Sequence, residues 1–492
     1  MGTRIVARLL GRIFAAYALF MAVPLVYAFV LREPAVVAFG YAAGVTGLLG
    51  ALLYFYGVEP GRIGIREGFL VAAGTWLLAS ATGALPYWFS GWVPTYLDAV
   101  FETVSGLTTT GASIIPDVEV LPQSLLLWRS MTHWVGGMGI IVLFVVFLTN
   151  VGADAVNLFQ AESPGPTVER VLPRIRTMAL RLWQMYVFFT AAQVALLWLA
   201  GMNLFDAVNH TFATMATGGF STKNTSIRFY DSLTIELIIV FFMFLAGGNF
   251  ALYYLAWQKG LRKLWRDSEF KLYLAIVVVS TVSIAAFLYC GSGIQPASGL
   301  RDALFMVVSI MTTTGFVTAD FDQWPPATKV ILLMLMLIGG CAGSTAGGLK
   351  VVRLLMLLKG ASLSLLHAIH PRLVSALKVG GKPVNAGTLH MVLQFFFLYI
   401  VIFFGSTLLV ATTGLEPFTA MGAVAATLGN VGPGFGAVGP TTTYAAVHPF
   451  AKAVLTADML LGRLELFTLL VLFHPEFWQP YMVRRNGKTP LD

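Results

Sequence analysis

An apolar run of about 18 to 25 residues, long enough for a helix to cross the roughly 30 Å hydrocarbon core of a bilayer, recurs ten times along this chain. The runs lie near 11–31, 36–57, 68–90, 126–149, 182–201, 233–257, 272–291, 328–358, 389–411 and 446–473. In lipid every backbone N–H and C=O needs an internal partner, so only helices and closed barrels span a membrane. Barrel strands would alternate over about ten residues, whereas these runs are continuous. The composition agrees: 57% of the 492 residues are hydrophobic and 11% charged, against roughly 25% charged in a soluble domain. A soluble globular fold, a disordered chain and a coiled coil are excluded. The two cysteines, Cys290 and Cys341, lie in or beside apolar segments without a CxxC spacing, which excludes a disulfide scaffold. The fold class is therefore an all-α polytopic membrane protein with ten transmembrane helices. Arg4, Arg8 and Arg12 ahead of the first run resemble a signal peptide, but the apolar stretch is too long and no small-x-small cleavage site follows, so we read a retained helix.

Basic residues fix the orientation. Of 31 Lys and Arg, 23 fall in the segments at one side, among them Arg62, Arg66, Arg170, Arg174, Arg176 and Arg181, the stretches 259–271 and 350–382, and Arg484, Arg485 and Lys488. That side is expected to be cytoplasmic and to hold both termini. The net charge of +8 is thus a topology signal and not a sign of nucleic-acid binding. The outer segments carry thirteen carboxylates and seven cations, an excess that either draws cations toward the mouth or is simply solvated.

Four outer segments align without a gap: Asp98–Gly111, Asp206–Gly219, Asp302–Gly315 and Thr419–Gly432, each running thirteen positions to its glycine. Each opens on Asp-Ala or Thr-Ala, expected as a helix N-cap, continues through about ten small and apolar residues, and is too short to span. Each also lies between two full spans, and the final glycines recur at intervals of 108, 96 and 117 residues. The unit is helix, short re-entrant helix, non-helical glycine stretch, helix. The chain divides into two extra N-terminal helices over 1–60 and four such repeats over 61–155, 156–265, 266–375 and 376–492, the last with the C-terminal tail. Non-helical backbone at membrane depth is tolerated where it lines a water-filled cavity. Its free carbonyls can take a cation as partner, four stretches around an axis make an oxygen ring, and the short helices aim their negative ends at it.

Thr-Thr-Thr-Gly-Ala-Ser at 108–113, Thr-Gly-Gly-Phe-Ser-Thr at 217–222, Thr-Thr-Thr-Gly-Phe at 312–316 and Asn-Val-Gly-Pro-Gly-Phe-Gly at 430–436 resemble the Trk/Ktr/HKT superfamily of potassium transporters over about residues 60–480. The two extra N-terminal spans and the length are similar to its TrkH branch. The resemblance implies one pore around four glycines, Gly111, Gly219, Gly315 and Gly432, with K+ as the transported ion and no cofactor in the chain. The ion would be held by carbonyls of Thr109, Thr110, Gly111 and Ala112; Thr217, Gly218, Gly219 and Phe220; Thr313, Thr314, Gly315 and Phe316; and Asn430, Val431, Gly432 and Pro433. Gly218 departs from the pattern, since Thr110 and Thr314 hold its place in the first and third repeats.

Between Gly339 and Gly348 five glycines (Gly339, Gly340, Gly343, Gly347, Gly348) interrupt an apolar run in the third repeat's second helix, with Ser344 and Thr345 among them. Each glycine costs about 1 kcal/mol in a helix interior, so the run is either a flexible plug below a pore or a seam of small residues where helices pack. The resemblance implies an intramembrane gating loop here. Arg463 is the one cation deep within a span, and such residues face protein or water. It either lines the ion path, as the resemblance implies, or pairs with a neighbouring helix. No Walker pattern follows Gly343–Gly348, and the seven histidines form no metal or catalytic set. The reading is a non-enzyme: a potassium-selective uptake pore in the cytoplasmic membrane, with a secondary transporter for a small solute, built on discontinuous helices, as the alternative. The basic segments suit anionic headgroups, so membrane lipids are partners, and no nucleic acid is. The resemblance adds a homodimer and a separate cytosolic nucleotide-binding regulatory subunit.

Overall fold

A computed structural model describes residues 2–59, 64–139, 175–373 and 375–479. The helices α1 (Thr3–Leu31) and α2 (Ala35–Tyr56) form an antiparallel hairpin ahead of the repeats. They cross closely because small residues sit at the contact: a Cβ on Gly11 would lie 2.4 Å from the Tyr54 backbone nitrogen. Arg8 and Arg12 close the open end of the hairpin on Glu59, each at 2.8 Å.

The first repeat comprises α3 (Ile65–Gly83), the short α4 (Tyr96–Leu107) and α5 (Gln123–Gly137). The second has α6 (Ile175–Leu199), α7 (Leu204–Met215) and α8 (Leu233–Ala246), followed by α9 (Phe250–Lys259). The third has α10 (Ser268–Ser292), α11 (Pro296–Met311) and α12 (Pro326–Ile338), then a loop and α13 (Val351–Ile369). The fourth has α14 (Ala386–Ala411), α15 (Pro417–Leu428) and α16 (Pro449–Arg463). Among the described residues the only strands are a two-residue hairpin, Lys378–Val379 against Lys382–Pro383.

Among the described residues seven helices are long and apolar enough to cross a membrane, or eight if α8 and α9 count as one bent span. Three of the expected continuous spans, 126–149, 233–257 and 446–473, need correction: α5, α8 and α16 have 15, 14 and 15 residues, as against 13 in α12 where a break is expected. At 1.5 Å per residue each covers about 20–23 Å, short of the roughly 30 Å hydrocarbon core. α8 turns by 94° into α9 across Gly247, Gly248 and Asn249, and α16 ends at Arg463, with Glu465 and Leu466 just beyond it at positive φ. The physical reason is local: two glycines and a capping asparagine end α8, while the surrounding residues remain apolar. Residues 140–149 of the fourth expected span, Arg62, Arg170, Arg174 and the basic tail lie outside the described residues.

The short helices also start earlier than the Asp-Ala steps suggest. Thr95 and Asn203 are the caps, accepting from the backbone N–H of Asp98 at 3.1 Å and of Asp206 at 2.8 Å. The aspartates therefore occupy the first turn, where a carboxylate favours the positive helix end. α11 and α15 begin at Pro296 and Pro417, with Gln295 and Glu416 before them. Proline suits a first turn because its missing N–H is not needed there.

Candidate ion pathway

All four short helices end in the same way. The backbone N–H of Thr110 bonds back to Ser105 O at 2.9 Å, Gly218 to Ala213 at 2.8 Å, Thr314 to Ser309 at 2.8 Å and Val431 to Ala426 at 2.7 Å. This six-to-one closure needs a left-handed residue just before it, and Thr109, Thr217, Thr313 and Asn430 supply it with φ of 55°, 56°, 56° and 55°. A β-branched residue rarely adopts that conformation, so three threonines at corresponding positions mark a place where the fold holds the backbone against its preference. All four side chains are fully buried.

Two residues on, Gly111, Gly219, Gly315 and Gly432 have φ of 81°, 76°, 79° and 103°. A Cβ on Gly111 would fall 2.1 Å from the carbonyl oxygen of Gly218, on Gly219 2.0 Å from that of Thr314, on Gly315 2.0 Å from that of Val431, and on Gly432 2.5 Å from that of Thr110. The contacts run from the first repeat to the second, third, fourth and back to the first. Each glycine is required twice: by its own φ, and by the carbonyl of the next repeat lying where a side chain would be. The four glycines face one cavity of about 120 Å³ together with Ala112, Phe220 and Pro433.

The four stretches are not identical. Thr108 and Thr110 share a hydroxyl hydrogen bond of 2.7 Å, as do Thr312 and Thr314; the second repeat has Ala216 and Gly218 there. The ring of His133, from α5, fills the space: a Cβ on Gly218 would lie 2.6 Å from it. His133 accepts from the Phe220 N–H through Nε2 at 3.2 Å, which puts its proton on Nδ1, 2.7 Å from Gly106 O. In the fourth repeat the Gly432 carbonyl accepts from the Tyr444 hydroxyl at 2.9 Å, and in the third the Phe316 carbonyl accepts from Ser309 Oγ at 2.7 Å. Those two oxygens thus have a protein donor already.

A buried pair braces the outer side. Arg129 Nε lies 2.8 Å from Glu102, with exposures of 3% and 0%. The same guanidinium donates to Ser221 O at 3.1 Å and Ser113 Oγ at 3.2 Å and lies 4.0 Å above the Phe220 ring, while Glu102 accepts from the Ile114 N–H at 2.9 Å. One ion pair thus holds the backbone beyond Gly111 and beyond Gly219. His133, Glu102, Arg129 and Tyr444 escape sequence reasoning; only the Gly218 exception hinted that another side chain occupies that space.

Beneath the ring passes the glycine-rich loop, which returns from α12 to α13. Its Gly347 N–H donates to Thr313 Oγ1 at 2.8 Å, and Thr345 Oγ1 lies 3.3 Å from Thr217 Oγ1, 3.1 Å from Met215 O and 3.2 Å from Ala246 O. A Cβ on Gly347 would meet Asn430 at 2.7 Å and Gly429 O at 2.6 Å. The loop therefore touches three of the four left-handed residues. Gly339, Gly343 and Gly348 have positive φ, Gly340 packs on the Gly247 carbonyl, and Ser344 turns back to Cys341 O at 2.6 Å within the loop. Arg463, at the end of α16, donates from one nitrogen to Thr345 O at 2.7 Å and from the other to Gly136 O at 2.5 Å and Gly137 O at 2.9 Å. It ties the loop to the ends of two broken helices, and Glu465 beside it pairs with Arg353 of α13.

The comparisons with known proteins agree over nearly the whole chain. The TrkH family, described as cation transport protein, matches residues 39–483. The Trk system potassium uptake protein TrkH of Escherichia coli strain K12 is 40% identical over 481 residues, covering 97% of this chain and 99% of that protein. Its namesake in Halomonas elongata is 39% identical over 489 residues, covering 97% and 100%. The crystal structure of the potassium transporter TrkH from Vibrio parahaemolyticus superposes with a TM-score of 0.88 at 37% identity, covering 97% of this chain and all of that one.

Proposed function

This chain belongs to the TrkH family of cation transport proteins, and on that premise we propose that it carries potassium into the cell through one channel-like pore in the cytoplasmic membrane. The four repeats surround the pore. The observation that carries the reading is the closed sequence of glycine-to-carbonyl contacts from Gly111 round to Thr110. Carbonyls of residues 109–112, 217–220, 313–316 and 430–433 replace the ion's hydration shell, with the oxygens of Gly432 and Phe316 the weakest ligands because each already accepts a protein hydrogen bond. Dehydration is repaid in a site whose oxygens are fixed before the ion arrives.

The loop through Gly339, Gly340, Gly343, Ser344, Thr345, Gly347 and Gly348 is the gate, held across the path by its bonds to Thr217 and Thr313 and by Arg463. The arginine adds a positive charge just where a cation would leave the ring. Both termini face the cytoplasm. The chain acts as a homodimer under a separate cytosolic nucleotide-binding subunit, with lipid headgroups against its basic segments. The cyclic order of contacts favours this reading over a secondary transporter, which would be built of two inverted halves.

Rubidium uptake by the purified protein in liposomes tests it, with potassium and sodium as competitors. Potassium is expected to compete strongly and sodium weakly. Gly111→Ser should admit sodium, because its side chain would collide with the Gly218 carbonyl and push it off the axis. An unchanged potassium-to-sodium flux ratio in that variant would remove Gly111 from the selectivity step.

A further inference from the structure

The loop beneath the ring is fastened near both its ends by a single side chain. Glu269, the second residue of α10 and 8% exposed, accepts through Oε1 from the backbone N–H of Ala342 at 2.7 Å and from that of Val352 at 3.1 Å. Ala342 lies at the start of the loop, and Val352 is in the first turn of α13, where the loop ends. The carboxylate thus spans the mouth of the loop and joins it to the outer helix of the third repeat. That helix start is itself fixed, since Asp267 caps it by accepting from the Phe270 N–H at 2.8 Å.

Most of the loop's other attachments join uncharged groups. Cys341 N–H donates to Gly247 O at 2.9 Å, Phe250 N–H to Gly343 O at 3.2 Å, and Thr345 bonds as described above. Lys350 of the same loop directs its ammonium to the Ala346 carbonyl. A charged acceptor makes hydrogen bonds about twice as strong as a neutral one, and a buried carboxylate in a span is expensive unless it holds something. Glu269 holds only these two loop N–H groups among the described hydrogen bonds. Releasing them would free the loop near both ends at once while leaving the glycine ring untouched.

We propose that Glu269 is a positioning residue, a latch that keeps the loop between Cys341 and Val351 across the path. The proposal rests on the reading of that loop as the gate. Cys341, 1% exposed within the loop, reports its position directly. With Cys290, the exposed second cysteine, replaced by serine, Cys341 is the only thiol.

The test follows two readouts in the same liposomes: the rate at which a small maleimide modifies Cys341, and basal rubidium flux. In Glu269→Ala both are expected to rise about tenfold or more, because two charge-assisted bonds are lost, with the potassium-to-sodium ratio unchanged. Glu269→Gln keeps the acceptor oxygen without its charge and should fall between, about threefold above the parent. Unchanged modification of Cys341 in Glu269→Ala overturns the latch, whatever the flux does. Faster modification without faster flux keeps the latch and overturns the gate. Where Glu269→Ala does not fold, Glu269→Gln decides, and a modification rate equal to the parent's overturns the proposal.

Discussion

Gly218 and His133 show how one side chain can stand in for two. Where the first and third repeats brace the ring with a threonine pair, the second gives up both hydroxyls and receives an imidazole from α5 that holds the Phe220 N–H and the Gly106 carbonyl. Gly218→Ala should lower stability by about 1–3 kcal/mol through overpacking, and His133→Ala by a similar amount, because the buried Phe220 N–H loses its acceptor and the Gly106 carbonyl keeps only the Thr109 N–H. Together they should cost less than their sum, since the new methyl enters the space the ring vacates; melting curves of the four proteins measure the coupling. His133→Ala should also weaken potassium selectivity, because the Phe220 N–H then has no fixed acceptor. Arg463 makes a different case. Its two terminal nitrogens reach carbonyls on the loop and on the end of α5, a fork that a lysine ammonium cannot reproduce. Arg463→Lys should therefore fall between the parent and Arg463→Ala in thermal stability, while Arg463→Ala has the highest cation flux.

At the level of elements, the short helices and the breaks serve one arrangement. A helix of 12 residues, as in α4, α7 and α15, reaches about 18 Å, enough to bring its carbonyl end to mid-membrane and no further. The second helices of the repeats, α5, α8, α12 and α16, are similarly short at 15, 14, 13 and 15 residues, and the loop and Arg463 pack at their ends. Asn249 makes the break in the second repeat: its side chain accepts from the Leu252 N–H at 3.1 Å and starts α9 after the 94° turn. Asn249→Ala should cost about 1 kcal/mol, the usual loss for a cap, seen as a lower melting temperature. The same change should loosen the loop, whose Gly343 lies against Asn249, and so raise basal rubidium flux modestly.

Over the whole molecule, the repeats are stitched into a circle above the ring as well as within it. The Val118 N–H donates to Asn224 at 2.8 Å, the Arg228 N–H to Val317 O at 3.2 Å, the Gly436 N–H to Asp322 at 2.9 Å and the Tyr444 N–H to Ser113 O at 2.9 Å. Helix contacts follow the same order, α5 on α7, α8 on α11, α12 on α15 and α16 on α4. The circle is closed by Lys452 of α16, which reaches Asp98 of α4 at 2.7 Å, with exposures of 6% and 14%. Lys452→Met should destabilise by about 1–3 kcal/mol, because the partly buried Asp98 carboxylate loses its cation and keeps only the Thr95 hydroxyl as a side-chain donor. Asp98→Asn combined with Lys452→Met should recover part of that loss, and melting temperatures of the single and double variants check it. Five of the seven outer cations are paired in this way with outer carboxylates, so much of the outer negative charge is engaged in holding loops together.

Hydropathy alone determined that the chain is a bundle of membrane helices, since long continuous apolar runs leave a helix as the only way to satisfy their polar backbone in lipid, and the thirteen-position register from Asp98 to Gly111 with its three counterparts determined that four equivalent turns exist. Both are local properties: a run of apolar side chains and a glycine at a fixed distance from a helix start. The signals that stop α8 and α16, Gly247–Asn249 and Leu464–Leu466, are local but too short to stand out in an apolar run, and only the tertiary structure supplies partners for the freed carbonyls, Cys341 N–H for Gly247 O and Arg463 for Gly136 O and Gly137 O at the end of α5. The reason for Gly218 was equally non-local, lying 85 residues back in His133. The brace of Glu102 and Arg129 and the closure through Lys452 and Asp98 depend on side chains brought together only when the fourth repeat returns to the first. A sequence read along its length records what each segment can bury; which carbonyl lies where a glycine has no side chain is fixed only when all four repeats meet.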